Sequence, residues 1–290
     1  MEKLHLGEYS FLTYREVQDM VVSFSQGLAK IGTGNSGRVA IFAETCAEWF
    51  TAVMGCLRQG LTVVTVFPNL SVEEIVASLC ETEVSVIMTS HDLLSRTAEV
   101  VRKCPAITNV IVFEDQLEGV GTVPEGLMEV VIPYKDVVET GKYLNTSLRQ
   151  PTGSDVAIIM YTSGSIDRPK GTELTHDNIV SSIISFAIQA DLRSGDRFLA
   201  FLPLAHVMEF TTEIALVSLG IVVMYGSPMT LTSSCPKIME GTLSDAQVAK
   251  PTCINAAPLI LDRIVTQAME KCFLNNQISE KALTCDVQGS

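Results

Sequence analysis

The chain has 290 residues, 47% of them hydrophobic, and its 33 acidic and 20 basic side chains give a formal charge of -13. A chain of this length and composition can bury one large core or two modest ones, which excludes a disordered protein. The negative charge repels polyanions at long range and argues against nucleic acid as a partner. A local phosphate site stays compatible with it, because such a site needs only a few backbone N–H groups and one or two cations.

Cysteines, histidines and apolar runs give no sign of a disulfide framework, a metal site or a membrane span. The cysteines lie far apart without a C-x-x-C pair, so we expect reduced, mostly buried thiols of a cytosolic protein, and no histidine stands at zinc-ligand spacing. The longest apolar run, Ile214 to Tyr225, is about half the roughly 20 residues that cross a bilayer. Gly220 interrupts it, which favours a buried passage from helix to strand. The cysteines are Cys46, Cys56, Cys80, Cys104, Cys235, Cys253, Cys272 and Cys285.

The first part of the chain alternates amphipathic helices with short β-branched strands. Thr13 and Glu16 form a capping box that opens a helix ending near Gly32. Trp49 falls on the apolar stripe of the second helix and is predicted as a core residue. Such alternation predicts an α/β protein whose parallel sheet is covered by helices on both faces. The further predicted elements are a strand at 39–43, a helix at 44–59, a strand at 62–67, a helix from Ser71 with Glu74 completing a second capping box, a strand at 84–89, a helix through Arg102 and a strand at 110–113.

Residues 114–154 contain many glycines and prolines, and we expect no regular pattern there. The predicted organisation is therefore a first βα subdomain at 1–113, a linker or boundary at 114–154, a second βα subdomain at 155–270 and a divergent polar tail at 271–290. The predicted elements of the second subdomain are a strand at 156–162, a loop to Thr175, a helix from Asn178, a strand at 198–202, a helix after His206, a strand at 221–225 and a helix at 259–269.

The loop after the strand at 156–162 reads Tyr161-Thr-Ser-Gly-Ser-Ile-Asp-Arg-Pro-Lys-Gly171. Its small hydroxyl and glycine residues let the backbone curl and point N–H and O–H donors at a phosphate, and Lys170 adds a positive charge. An ordinary strand-to-helix loop is the alternative reading. A Walker P-loop does not fit, because Pro169 and Gly171 occupy the places of its glycine and its magnesium-binding hydroxyl.

Three separated segments together resemble one family. The loop is similar to the phosphate-binding loop of the superfamily of acyl-CoA synthetases, adenylation domains and luciferases. Phe201–Val207 with Glu209 and Glu213 resembles the next motif in its long-chain acyl-CoA synthetase form, and Val39–Trp49 resembles an early segment of the same branch. The resemblance implies an incomplete N-terminal domain of the adenylate-forming ligase fold. Further matches are Ser227–Leu231, Lys250–Thr252, Pro258 and Asp262–Ile264.

This resemblance implies an ATP- and Mg²⁺-dependent ligase reaction. A fatty acid carboxylate attacks the α-phosphate of ATP, and the CoA thiol then attacks the acyl-adenylate to give acyl-CoA, AMP and diphosphate. By the same resemblance His206 lies near the junction of the acyl tunnel and the nucleotide pocket, although its spacing alone favours an exposed or satisfied histidine. No residue is assigned as a metal ligand or as catalytic. The residues implied to bind nucleotide are Thr162, Ser163, Gly164, Ser165, Lys170 and Gly171.

Two positions inside the loop depart from the family, which usually has Thr and Gly where this chain has Ile166 and Asp167. Ile166 lacks a hydroxyl that would donate to phosphate. If Asp167 faces the triphosphate, a screened repulsion on the order of 1 kcal/mol weakens binding about fivefold. If it turns outward and pairs with Arg168 in solvent, the effect is small.

The later family motifs, which hold the magnesium-binding acid, the ribose-binding aspartate and the catalytic lysine, are not found before Ser290. We therefore expect a truncated ligase that does not complete fatty acid activation alone. The alternative is a non-catalytic pseudoenzyme that binds nucleotide or acyl chain, or pairs with a full-length relative. A third class of function is an unrelated nucleotide-binding hydrolase, against which Pro169 and Gly171 argue. The resemblance also implies the cytoplasmic side of the cell, and it leaves peripheral association with the endoplasmic reticulum or mitochondrial outer membrane open. The short apolar runs predict no transmembrane segment.

Overall fold

A computed structural model describes residues 4–33, 37–113, 123–162, 170–233 and 235–274. The helices are α1 (Tyr14–Ile31), α2 (Ala47–Arg58), α3 (Val72–Glu81), α4 (Leu94–Lys103), α5 (Tyr134–Gly141), α6 (His176–Gln189), α7 (Val207–Ser218), α8 (Asp245–Ala249) and α9 (Pro258–Leu274). The strands are β1 (Arg38–Phe42), β2 (Thr62–Thr65), β3 (Val86–Ser90), β4 (Asn109–Phe113), β5 (Val131–Pro133), β6 (Val156–Thr162), β7 (Lys170–Thr175), β8 (Arg197–Ala200) and β9 (Val222–Tyr225).

Seven strands form one sheet in the order β5-β4-β3-β1-β2-β6-β7, and β8 pairs with β9 in a second sheet. Every strand pair is parallel except β6 with β7, which is antiparallel. The prediction of an α/β fold with a mainly parallel sheet is therefore confirmed.

The large sheet is buried on both faces, as its continuous apolar strands predict. Along β1, Val39 and Ile41 join a core cluster with residues of α1, α2 and α5. The alternate residues Ala40 and Phe42 join a second cluster with residues of α3 and α4. Trp49 is fully buried in the first cluster and meets the ring of Phe210 edge-on at 6.2 Å, which confirms its place in the core.

Both predicted capping boxes are present. The amide of Glu16 donates to Thr13 Oγ1 at 3.3 Å, and the Thr13 amide donates back to Glu16 Oε2 at 2.6 Å. Ser71 and Glu74 repeat the arrangement at α3. These two helix starts follow from local sequence because each box satisfies backbone donors that the first turn leaves free.

The expectation that residues 114–154 lack regular structure is wrong at residues 131–141. β5 adds to the edge of the sheet beside β4, where its Pro133 is tolerated because an edge strand leaves one side unpaired. α5 then packs against α1 so closely that a Cβ at Gly141 would lie 1.7 Å from the Ser23 carbonyl oxygen. Of the two residues that suggested a break, Gly141 is thus needed by the packing, and Pro133 is compatible with the edge position of its strand. β6 pairs with β2 in the same sheet as β1, and the division into subdomains stays a prediction.

The predicted loop to Thr175 is also wrong in its second half. Residues 170–175 form the edge strand β7, and α6 starts at His176 rather than at Asn178. Thr175 caps α6 by accepting from the amide of Asn178 at 3.2 Å. The sequence signal was weak because β7 is mostly exposed and carries no apolar alternation.

The apolar run from Ile214 to Tyr225 is the end of α7, a turn at Gly220 and strand β9, as predicted. None of the helices in the described parts of the chain combines the length and the apolar character that a membrane-spanning helix requires. The thiols are less buried than predicted: of the six cysteines whose side chains are described, Cys56 and Cys104 are buried and Cys80 is exposed.

Candidate functional site

The candidate phosphate loop connects the carboxyl end of β6 with the start of β7. The strand register pairs Thr162 with Lys170, so the two ends of the loop lie opposite each other at the carboxyl edge of the large sheet. Open α/β sheets bind ligands at this edge. The predicted residues Ser163, Gly164 and Ser165, and the departures at 166 and 167, lie outside the described residues.

Lys170 is the first residue of β7 and is exposed, so it places a positive charge where the loop ends. Within the described part of the chain, none of the ion pairs or side-chain hydrogen bonds involves its ammonium group. A lysine in this state can offer all three N–H donors to an anion at the mouth of the loop.

Tyr161 and Gly171 fasten the base of the hairpin. The Tyr161 hydroxyl lies 3.0 Å from Glu81 Oε2 and 3.2 Å from the Ser78 carbonyl oxygen, which joins β6 to α3. Burial, and then the hydrogen bond to Glu81, raise the pKa of the Tyr161 phenol. A Cβ at Gly171 would lie 3.0 Å from Ile159 and 3.2 Å from the Tyr161 ring. In the described structure Gly171 is therefore a strand residue that gives this ring its space, and its role in nucleotide binding stays a prediction.

His206 stands at the start of α7 with its ring exposed. Its Nδ1 accepts a hydrogen bond from the Met208 amide at 3.2 Å, so the side chain caps the helix. The side chain is thus exposed and hydrogen-bonded at Nδ1, and its role near an acyl tunnel stays a prediction. Among the described residues the His206 ring makes its hydrogen bond through Nδ1, which leaves Nε2 for a ligand.

Two threonines hold the segment before His206 against the carboxyl edge of the large sheet. Thr45 Oγ1, just after β1, donates to the Leu202 carbonyl at 2.7 Å and accepts from the Leu204 amide at 2.8 Å. Thr65 Oγ1, at the end of β2, donates to the Ala205 carbonyl at 3.3 Å. The fold thereby brings the segment of His206 to the edge where the phosphate loop leaves β6. Neither threonine was singled out from sequence, although Thr45 lies within the early motif at 39–49.

The first turns of α7 bury two carboxylates that the sequence identified only as part of a motif. Glu209 Oε2 accepts from Asn255 Nδ2 at 2.8 Å, and Glu213 Oε2 accepts from the Tyr225 hydroxyl at 3.0 Å. The second oxygen of each is buried without a hydrogen-bond partner among the described residues. Burial raises the pKa of Glu209 to about 7. Burial, followed by repulsion from Glu209, raises the pKa of Glu213 well above its usual value.

A groove of about 850 Å³ lies between the N-terminal segment, α2 and β9. Apolar side chains such as Phe11, Phe50 and Met224 line it together with the acidic Glu48 and Asp245. None of the predicted site residues borders it. The candidate site is therefore defined by the loop ends and the tied His206 segment, and not by this groove.

The arrangement suits the binding of a phosphate-bearing ligand. Lys170 supplies charge at one end of a hydroxyl-rich loop, and His206 supplies an imidazole on the segment that Thr45 and Thr65 hold at the same sheet edge. The described residues contain no group of three or more His, Cys, Asp or Glu side chains suited to hold a metal ion.

Proteins of known sequence resemble this chain over most of its length. It is 37% identical over 275 residues to long chain acyl-CoA synthetase 8 of Arabidopsis thaliana, covering 93% of this chain and 38% of the relative. It is 31% identical over 313 residues to long-chain-fatty-acid–CoA ligase 3 of Saccharomyces cerevisiae, covering 97% of this chain and 45% of the relative. The chain thus spans less than half the length of these relatives.

Solved structures share the fold at low identity. The adenylation domain of a carboxylate reductase from Mycobacterium chelonae superposes with a TM-score of 0.80 at 20% identity, covering 94% of this chain and 43% of that one. A putative long-chain-fatty-acid CoA ligase from Rhodopseudomonas palustris gives 0.70 at 21% identity, covering 88% and 59%. Residues 1–285 also match the family described as AMP-binding enzyme. The chain therefore belongs to the family of AMP-binding enzymes, and the resemblance to long-chain acyl-CoA synthetases drawn from its motifs is confirmed.

Proposed function

We propose that this chain provides the nucleotide- and acyl-binding part of an ATP-dependent long-chain fatty acid CoA ligase. The observation that carries the proposal is the β6–β7 hairpin, which sets the exposed Lys170 across from Thr162 at the two ends of the loop. The relatives named as long-chain acyl-CoA ligases support the choice of fatty acid and CoA as substrates.

In this proposal the loop and Lys170 hold the triphosphate of ATP, with Mg²⁺ as its counterion. Neutralising charge on the phosphates favours attack of a fatty acid carboxylate on the α-phosphate, and a site of this kind works mainly by positioning and electrostatics. Thr45 and Thr65 hold the segment of His206 at the same sheet edge, where its imidazole would meet the acyl carboxylate.

Calorimetric titration of the chain with ATP and Mg²⁺ tests the binding role. Lys170→Ala removes a charged hydrogen-bond donor and should weaken ATP binding about tenfold or more, since such bonds contribute roughly 1.5–3 kcal/mol. Lys142→Ala is the matched control, because Lys142 is also an exposed lysine and pairs with Glu139 at 2.6 Å on α5. Equal affinities for the two variants, or no ATP binding by the unchanged chain, would contradict the proposal.

The departures inside the loop allow a second titration. If Asp167 faces the triphosphate, Asp167→Gly should strengthen ATP binding about fivefold. If Asp167 pairs with Arg168, the affinity should stay as it was. Ile166→Thr restores a hydroxyl donor and should add to the gain in the first case.

A second candidate function is a non-catalytic nucleotide- or acyl-binding regulator, or a partner of a full-length relative. The loss of a hydroxyl at Ile166 and the added charge at Asp167 favour it. Incubation with ATP, Mg²⁺, palmitate or arachidonate, and CoA separates the two functions. The regulator forms no acyl-CoA above the Lys170→Ala background, whereas clear acyl-CoA formation would show that the chain is itself a ligase.

We also propose peripheral attachment to the cytoplasmic face of the endoplasmic reticulum or mitochondrial outer membrane. The support is the resemblance to long-chain acyl-CoA synthetases, because their fatty acid substrates are components of membrane lipids. Flotation of the purified chain with vesicles of either membrane's lipid composition tests it, and a chain that stays at the bottom of the gradient with both would contradict it.

A further inference from the structure

Two cysteines that play no part in the proposed function meet at the ends of neighbouring helices. Cys80 is the penultimate residue of α3, and Cys104 directly follows α4 as its C-cap. Their sulfur atoms are 3.1 Å apart, although 24 residues separate them in the chain. The contact therefore depends on the packing of α3 against α4.

The surroundings hold the two sulfurs in place. Glu73 and Lys103 form an ion pair at 3.2 Å that joins the same two helices. Cys80 Sγ lies 3.9 Å from the Lys103 carbonyl, and Cys104 Sγ lies 3.8 Å from the Val76 carbonyl. A disulfide has an S–S length of about 2.05 Å, so the sulfurs need to approach by only about 1 Å.

Exposure differs between the two thiols. Cys80 is exposed, whereas Cys104 is buried with 2% of its surface accessible. An oxidant from solvent reaches Cys80 first, and the shielded Cys104 is then the nearest nucleophile to the oxidised sulfur. This is the arrangement of an attacking and a resolving cysteine.

We propose that Cys80 and Cys104 form a modification site, a dithiol that hydrogen peroxide oxidises to an intramolecular disulfide. The Cys80 thiolate attacks one peroxide oxygen, the O–O bond breaks, and water leaves after protonation, so that Cys80 becomes a sulfenic acid. The sulfur of Cys104 then attacks the sulfur of Cys80 and displaces hydroxide, which takes up the Cys104 proton as a second water. Two thiols lose two electrons, and one peroxide gains them.

The environment of Cys104 determines how fast the disulfide forms. Burial, and then the contact with Cys80, raise the pKa of the Cys104 thiol to about 12. Closure is therefore slow at neutral pH and speeds up as pH rises, because the thiolate is the nucleophile. The product is a covalent link between the end of α3 and the end of α4.

Peptide mapping of the full chain tests the proposal, since trypsin separates the two thiols. Cleavage after Arg58 and Arg96 releases Cys80 in peptide 59–96, and cleavage after Lys103 and Lys135 releases Cys104 in peptide 104–135, each with no other cysteine. After peroxide treatment and alkylation of free thiols, we expect the two peptides to be joined by a disulfide. The mass of the joined species should be two hydrogens below the sum of the two peptide masses, and dithiothreitol should separate the peptides again. The melting temperature should rise on the order of 5 °C.

Three controls make the result specific. Cys80→Ser should abolish the joined peptide, and because Cys80 is exposed this variant should fold. Cys235→Ser replaces a partly exposed thiol that contacts Thr232 and Pro228, and this variant should form the joined peptide as the unchanged chain does. Oxidation in urea should lower the yield several-fold, because the helices no longer hold the sulfurs together. The proposal is overturned if peptide 59–96 is recovered alone, if it joins another cysteine peptide, or if urea leaves the yield unchanged.

Discussion

Replacing Glu209 by Gln is expected to make the folding stability of this protein less dependent on pH. The glutamine has the same length as glutamate, and its carbonyl oxygen can still accept the hydrogen bond from Asn255 that Glu209 accepts at 2.8 Å. The substitution therefore removes a titrating proton from the buried start of α7 with little change in packing.

The magnitude follows from the pKa of the buried acid. The pKa of Glu209 rises from 4.5 to about 7 because burial penalises its charged form. At about 1.4 kcal/mol per pKa unit, this shift corresponds to about 3 kcal/mol. The folded state keeps the proton that the unfolded state has lost, so the stabilisation is fully present below pH 4.5 and disappears as pH rises through about 7. Glu213 acts in the same direction, since its pKa is also raised.

Urea unfolding between about pH 5 and about pH 8 measures the effect. The unchanged chain should lose stability over this range, and Glu209→Gln should remove up to about 3 kcal/mol of that loss. Near pH 8 the variant should therefore be the more stable protein. Glu173→Gln, at an exposed glutamate of β7, should follow the unchanged chain. Parallel stability curves for Glu209→Gln and the unchanged chain would refute the assignment of a buried, protonated Glu209.

Three further substitutions test the packing and the site. Gly141→Ala should lower the free energy of unfolding by about 1–3 kcal/mol in urea, because the added Cβ would lie 1.7 Å from the Ser23 carbonyl oxygen. Gly126→Ala is the control and should be neutral or stabilising, because the space around Gly126 is open. Equal effects of the two substitutions would contradict the close contact between α1 and α5. Ser71→Ala should cost about 1 kcal/mol of unfolding free energy through loss of the α3 cap, and an unchanged midpoint would argue against that capping box. Thr45→Val should lower the free energy of unfolding by about 1–3 kcal/mol, because the Leu204 amide loses its hydrogen-bond acceptor. The same loss should speed hydrogen exchange of this amide. Unaltered exchange would show that Thr45 does not hold the segment before His206.

The sequence by itself determined the elements whose signals are local. The capping boxes at Thr13 and Ser71 fixed two helix starts, and the apolar run at 156–162 matches β6 residue for residue. The order of three motifs identified the family. These features depend on hydrogen bonds and burial patterns within a few residues of each other, which a single sequence displays directly.

Only the tertiary structure decided the features that join distant residues. β7 exists because it pairs with β6 at an open sheet edge, and α5 because Gly141 allows it to touch α1. The hydroxyls of Thr45 and Thr65 find carbonyl partners 157 and 140 residues away. The meeting of Cys80 and Cys104 likewise follows from helix packing on one face of the sheet. In each case the partner is set by how elements pack in three dimensions, and spacing along the chain carries no record of it.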